Sequence, residues 1–150
     1  MAFDDAGRFT IASGRAMERQ GQERFKPYGL TVSDVAPLLR LVHLGPMTPG
    51  DLLESSLLLT SGPVASHSIK RLESAGLVTR RPHPEDGRKV VVEATDRGRD
   101  LESKFHQQVA EIQGEFFSPL TKRELAQLTE LLRRCLLNHL ELPPEASAWL

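Results

Sequence analysis

Apolar residues recur every three or four positions along most of this chain, and the pattern changes to short β-branched runs only between Leu77 and Ala94. A first helix is predicted from about Arg8 to Phe25, broken by Pro27-Tyr28-Gly29. A second starts at Thr31 or Ser33 and runs to Gly45, with Leu38, Leu41, Val42 and Leu44 on its apolar side. Pro37 falls inside it, early enough that it forfeits one backbone hydrogen bond and kinks the helix without ending it. After Thr95 a long helix carries Leu101, Phe105, Val109, Ile112 and Phe116, and Ser118-Pro119 ends it. Thr121-Lys122-Arg123-Glu124 is a capping box opening a last helix, whose stripe runs through Leu125, Leu128, Leu131, Leu132, Cys135, Leu136 and Leu140 to Pro143-Pro144.

The middle of the chain carries the chemistry. Thr48-Pro49-Gly50-Asp51 combines a Thr N-cap, a proline in the first turn and an acidic residue near the positive helix end, so a short helix spans about Pro49 to Ser56, packed through Leu52, Leu53 and Leu57. A second short helix follows, with Ser61 as N-cap and Pro63 in the first turn, and ends at Gly76. Ala65, Ile69 and Leu72 form its packed face, leaving Ser61, Gly62, Ser66, His67, Lys70 and Arg71 outward. A helix that reads a major groove needs this division between a packed face and a polar one. Two strands, Leu77 to Arg81 and Lys89 to Ala94, then flank Asp86-Gly87, a signal for a tight hairpin because glycine tolerates positive φ. Arg80, Arg81, Arg88 and Lys89 crowd that hairpin, where cations can meet phosphates or enter a minor groove, with Asp86 beside them.

This order predicts a mainly α fold with a small β-hairpin wing: a winged helix-turn-helix flanked by N- and C-terminal dimerisation helices. Residues 31–94 form the DNA-binding lobe, 1–30 and 95–142 the helical dimerisation region, and 143–150 a tail. The terminal helices are more apolar than so small a lobe can bury, and a second copy of the chain is the simplest cover. A twofold dimer would set two reading helices about 34 Å apart, one turn of DNA.

Composition adjusts the picture at two points. The formal net charge is only −1, but between Thr60 and Val92 six cations stand against three carboxylates, and phosphate affinity follows that local excess. Cys135 is the only cysteine and has no internal disulfide partner, the start of the chain is acidic, and no apolar run approaches the ~20 residues of a membrane span, which together point to a cytoplasmic protein. Cys135 sits in an apolar stripe and reads as a buried core residue rather than a redox switch. His43, His67, His83, His106 and His139 fall in no metal-ligand spacing, and no phosphate loop or nucleophile motif is present, so neither an enzyme nor a metal or cofactor is expected. His67 is open to two readings, a donor to guanine or phosphate and a solvated helix residue. The alternative function is a winged-helix module for protein contacts without DNA binding.

Five short motifs in order give the chain a resemblance: Leu30-Thr31, Gly45-Pro46-Met47-Thr48, Arg71-Leu72-Glu73-Ser74-Ala75-Gly76-Leu77-Val78, Asp86-Gly87-Arg88, and Ala94-Thr95-Asp96-Arg97-Gly98-Arg99. In these the chain resembles the MarR-type (multiple antibiotic resistance regulator) transcription factors. That resemblance implies a homodimeric repressor on a near-palindromic operator, with Arg88 at the wing tip in the minor groove and Asp86 supporting it. It further implies release from DNA by a small aromatic or phenolic effector held between the dimer and DNA-binding lobes, where Met17, Tyr28, His43 and Met47 are placed. Two departures bear on which operator is read: Ser66-His67 stands where the family often carries Thr-Arg, and Gly87 where many wings carry a middle arginine.

Overall fold

The computed structural model describes residues 2–55 and 62–138, with side chains from residue 5 onward. Helix α1 spans Ala2–Phe25 and so begins earlier than Arg8, with Asp5 near the positive end of the helix. A 3₁₀ turn at Lys26–Tyr28 follows and is closed by Gly29 at φ 69°. Helix α2 is Val32–Leu44 with Thr31, not Ser33, as its N-cap. Pro37 is buried within α2, and the helix continues through it. Helix α3, Pro49–Glu54, is capped as its sequence predicts: Thr48 Oγ1 accepts from the Asp51 N–H at 3.2 Å and donates to the Asp51 carboxylate at 2.7 Å. Helix α4 spans Gly62–Ser74. The packing expected of Leu57 and the cap expected of Ser61 lie outside the described residues.

The end of α4 is a glycine stop: Gly76 takes φ 70°, its N–H reaches the Glu73 carbonyl and the Leu77 N–H reaches that of Leu72, each at 2.9 Å. Strands β1, Val78–Pro82, and β2, Val90–Ala94, pair antiparallel from Val78↔Ala94 to Pro82↔Val90. The tight Asp-Gly hairpin does not form. Residues 83–89 make a wider loop in which the Lys89 N–H closes a turn onto the Asp86 carbonyl at 2.9 Å, and the positive-φ glycines are Gly29, Gly45 and Gly76, not Gly87. The His83 N–H still reaches the Lys89 carbonyl at 2.9 Å, one bond past the Pro82↔Val90 pair, and Pro84, which has no N–H, cannot donate a further one. On its other edge β2 bridges Met47, with hydrogen bonds of 3.0 and 2.7 Å to Val92.

Helix α5 is Asp96–Phe116 and helix α6 is Lys122–Leu137. The chain divides into two compact units, residues 1–112 and 113–150. In the first, Phe25, Leu38, Leu52, Ile69, Leu72, Val92 and Phe105 are wholly buried, each burial worth about 1.5–3 kcal/mol before entropy is counted. Phe105 anchors this core with edge-on contacts to Phe25 at 5.5 Å and Tyr28 at 4.9 Å between ring centroids.

In the second unit, α6 has the capping box its sequence announces, Thr121 Oγ1 accepting from the Glu124 N–H at 3.3 Å. Its apolar stripe forms but stays open: none of its described residues is buried, and Leu131, Leu132, Leu136 and Leu137 are exposed. Cys135 is likewise exposed, which corrects the reading of it as core; an amphipathic stripe buries its cysteine only where something covers the stripe.

Candidate nucleic-acid interface

Helix α4 divides as its spacing requires. Ala65, Ser68, Ile69 and Leu72 are buried, while Gly62, His67 and Lys70 are exposed and Ser66 and Arg71 are half-buried. Lys70 and His67 form no ion pair or hydrogen bond among the described residues, so their polar ends are free for an outside partner.

Arg71 is different, because its guanidinium grips a carboxylate that sequence reading passed over. Nε and Nη2 donate to Asp34 at 2.8 and 2.7 Å, and the Asp34 side chain is 0% exposed. Ser68 Oγ donates to the same carboxylate at 2.6 Å, and the Thr31 N–H and hydroxyl donate at 2.8 and 2.9 Å. Burial alone would push the Asp34 carboxyl up, but the bonds from Arg71, Ser68 and Thr31 outweigh it and hold the group below its ordinary value. Its own bonds to the Asp34 carboxylate push Arg71 up. One buried carboxylate thus caps α2 and ties it to α4. The available signal was Thr31-x-x-Asp34, a capping pattern that puts an acid at the third helical position.

A second lock sets the corner between α4, β1 and α5. Thr95 Oγ1 donates to the Gly76 carbonyl at 2.8 Å and accepts the Gly98 N–H at 3.1 Å, while the Thr95 N–H donates to Leu77 at 3.0 Å. Gly98 is required at this corner, since a Cβ there would lie 2.2 Å from the Leu77 carbonyl oxygen.

The wing separates its cations into two kinds. Arg80 Nε bonds both Glu73 oxygens at 3.1 Å and Arg81 Nε bonds Glu93 at 2.7 Å. Arg88 and Lys89, in the loop, are exposed and carry no ion pair among the described residues. Asp86 Oδ1 accepts the Arg88 backbone N–H at 3.1 Å, which shapes the loop that bears them.

Three of the four residues placed in an effector pocket, Met17, Tyr28 and Met47, pack against the same buried cluster. Met47 also bridges β2. His43 Nε2 lies 3.1 Å from Glu102 at the surface. Tyr28 packs on Phe105 with the Lys104 ammonium 5.5 Å from its ring, and it borders an open hollow on α4. Among the described residues no helix is long and apolar enough to cross a membrane.

A sequence model of the MarR family matches residues 28–89. The HTH-type transcriptional regulator MhqR of Bacillus subtilis is 30% identical over 83% of this chain and 84% of its own length. The uncharacterised HTH-type regulator YdgJ of the same organism is 30% identical over 71% of this chain, and the match spans 63% of that relative's length. Among solved structures, a mutant MarR of E. coli complexed with operator DNA superposes with a TM-score of 0.75 at 28% identity, covering 87% of this chain and 92% of that one.

Proposed function

The chain belongs to the MarR family of winged-helix transcriptional regulators, and on that premise we propose that it binds duplex DNA as a homodimer and regulates transcription by occupying a near-palindromic operator. The observation that carries this reading is the coincidence of two exposed polar surfaces on one frame, whose cations form no ion pair among the described residues: Lys70 beside His67 on the polar side of α4, and Arg88 and Lys89 on the wing loop. A recognition helix in a major groove with a wing on the adjacent backbone or minor groove uses that pair of surfaces. In this reading Gly62, Ser66, His67 and Lys70 lie toward the major groove and the phosphates at its rim, and Arg88 and Lys89 hold phosphate or minor groove. Arg80 and Arg81, each already paired with a carboxylate, shape the wing and contribute less to affinity. The likeness to a MarR complexed with operator DNA supports the assignment.

Repression released by a small aromatic or phenolic effector belongs to the same proposal. An effector that lowers DNA affinity a hundredfold must favour the non-binding conformation by about 2.7 kcal/mol.

The test is selection of bound duplexes from a random library at near-physiological salt. Enrichment of an inverted repeat is the expected result. Recovery of duplexes with no shared sequence, or of none, would favour a module for protein contacts.

A further inference from the structure

The Asp34–Arg71 clamp changes what Arg71 can do at a DNA surface. A side chain that reads a base edge must extend to the floor of a groove about 8.5 Å deep. Arg71 sits in the last turns of α4, and its Nε–Nη2 edge is drawn back onto a wholly buried carboxylate at the start of α2. Its side chain is still 39% exposed, and Nη1 makes no hydrogen bond among the described residues. The guanidinium borders an open hollow of about 320 Å³ with Tyr28, Gly29, His67, Lys70 and Ser74. Along α4, positions 67, 70, 71 and 74 form one stripe, so this hollow gathers every polar side chain of that stripe against the turn between α1 and α2.

Resting on the DNA-binding reading above, we infer that this hollow is a seat for a backbone phosphate of duplex DNA, in which Asp34 is the positioning residue that presents the outer edge of Arg71 beside Lys70 and His67. The division of labour follows from charge. Asp34 and Arg71 neutralise one another, so Arg71 supplies oriented donors, and Lys70, free of any ion pair among the described residues, supplies the net charge that displaces counterions. Two N–H groups held in a fixed plane match two phosphate oxygens at the rim of a groove, a contact that sets register on the duplex and carries no base identity.

The test uses the full chain and the duplex obtained by selection. The double variant Asp34→Asn/Arg71→Gln leaves the net charge unchanged and keeps hydrogen-bonding groups at both positions, and its thermal midpoint verifies that it folds. It is expected to bind the selected duplex and a scrambled one more weakly by the same factor, about tenfold. Replacement of single phosphates by neutral methylphosphonates should weaken the wild-type protein at one position per half-site, with the double variant indifferent to that position. Lys70→Ala, with the clamp intact, should reduce the slope of log affinity against log salt by about 0.9 per chain. A loss confined to the selected sequence would make Arg71 a base reader and overturn the inference, as would a folded double variant with unchanged affinity and phosphate sensitivity. Wild-type protein that binds no duplex overturns the DNA-binding reading itself, and is thereby distinguished from failure of the phosphate seat alone.

Discussion

Asp34 is the residue on which the reading helix depends, and its chemistry makes that dependence measurable. Its carboxyl titrates below its unfolded-state value in the folded chain, because donors from Arg71, Ser68 and Thr31 outweigh burial. The stabilisation is therefore complete at neutral pH, fades as pH falls past the ordinary carboxyl value of about 3.9, and is gone below the folded-state value. Asp34→Asn should cost roughly 1–3 kcal/mol at pH 7, and the gap in thermal midpoint between it and wild type should narrow as the pH is lowered through and below the ordinary carboxyl value. A gap that stays constant across that range would place the loss elsewhere than in the ionised pair. Gly98 makes a different demand. Because its missing Cβ would meet the Leu77 carbonyl at 2.2 Å, Gly98→Ala should destabilise by about 1–3 kcal/mol in chemical denaturation, although alanine is the better helix former. The Thr95-Asp96-Arg97-Gly98 motif was visible in the chain, but the reason for its glycine was not, since Leu77 comes close only in the folded corner.

Among the elements, those with local causes were legible. Thr48 and Thr121 cap their helices and Gly76 stops α4, each through bonds within a few residues of itself. The wing was legible as a hairpin and misjudged as a tight one, because its loop is closed by the His83–Lys89 bond and turns from Asp86 to Lys89 without the positive φ at Gly87 that the Asp-Gly signal anticipates. Its four cations looked alike in sequence, and only the register of β1 on β2 and the packing of α4 distinguish them, setting Arg81 beside Glu93 and Arg80 beside Glu73. This difference predicts unequal substitutions. Arg88→Ala should weaken DNA binding and lower the salt slope by about 0.9 per chain, whereas Arg80→Ala should do markedly less in the same titration. Equal losses would mean that the Arg80 ion pair opens on DNA.

At the scale of the whole molecule, the exposed apolar residues call for a partner. Phe9 and Ile11 on α1 are 71% and 61% exposed, and on α6 Leu131, Leu132, Leu136 and Leu137 are open together. A homodimer of the 16.7 kDa chain should therefore appear in sedimentation at micromolar concentration, and Leu132→Glu/Leu136→Glu should shift it to monomer with its secondary structure kept. Monomeric wild type would remove the dimer from the proposal. By itself the sequence determined the order of elements, their caps and stops, and the packed and polar faces of α4, because helix period, capping chemistry and glycine conformation act over a few residues. Only the tertiary structure decided which charges are spent and which are free. Asp34 and Arg71, Glu73 and Arg80, and Glu93 and Arg81 meet through the packing of helices and the pairing of strands, and a carboxylate's partner depends on distances in space that spacing along the chain does not contain.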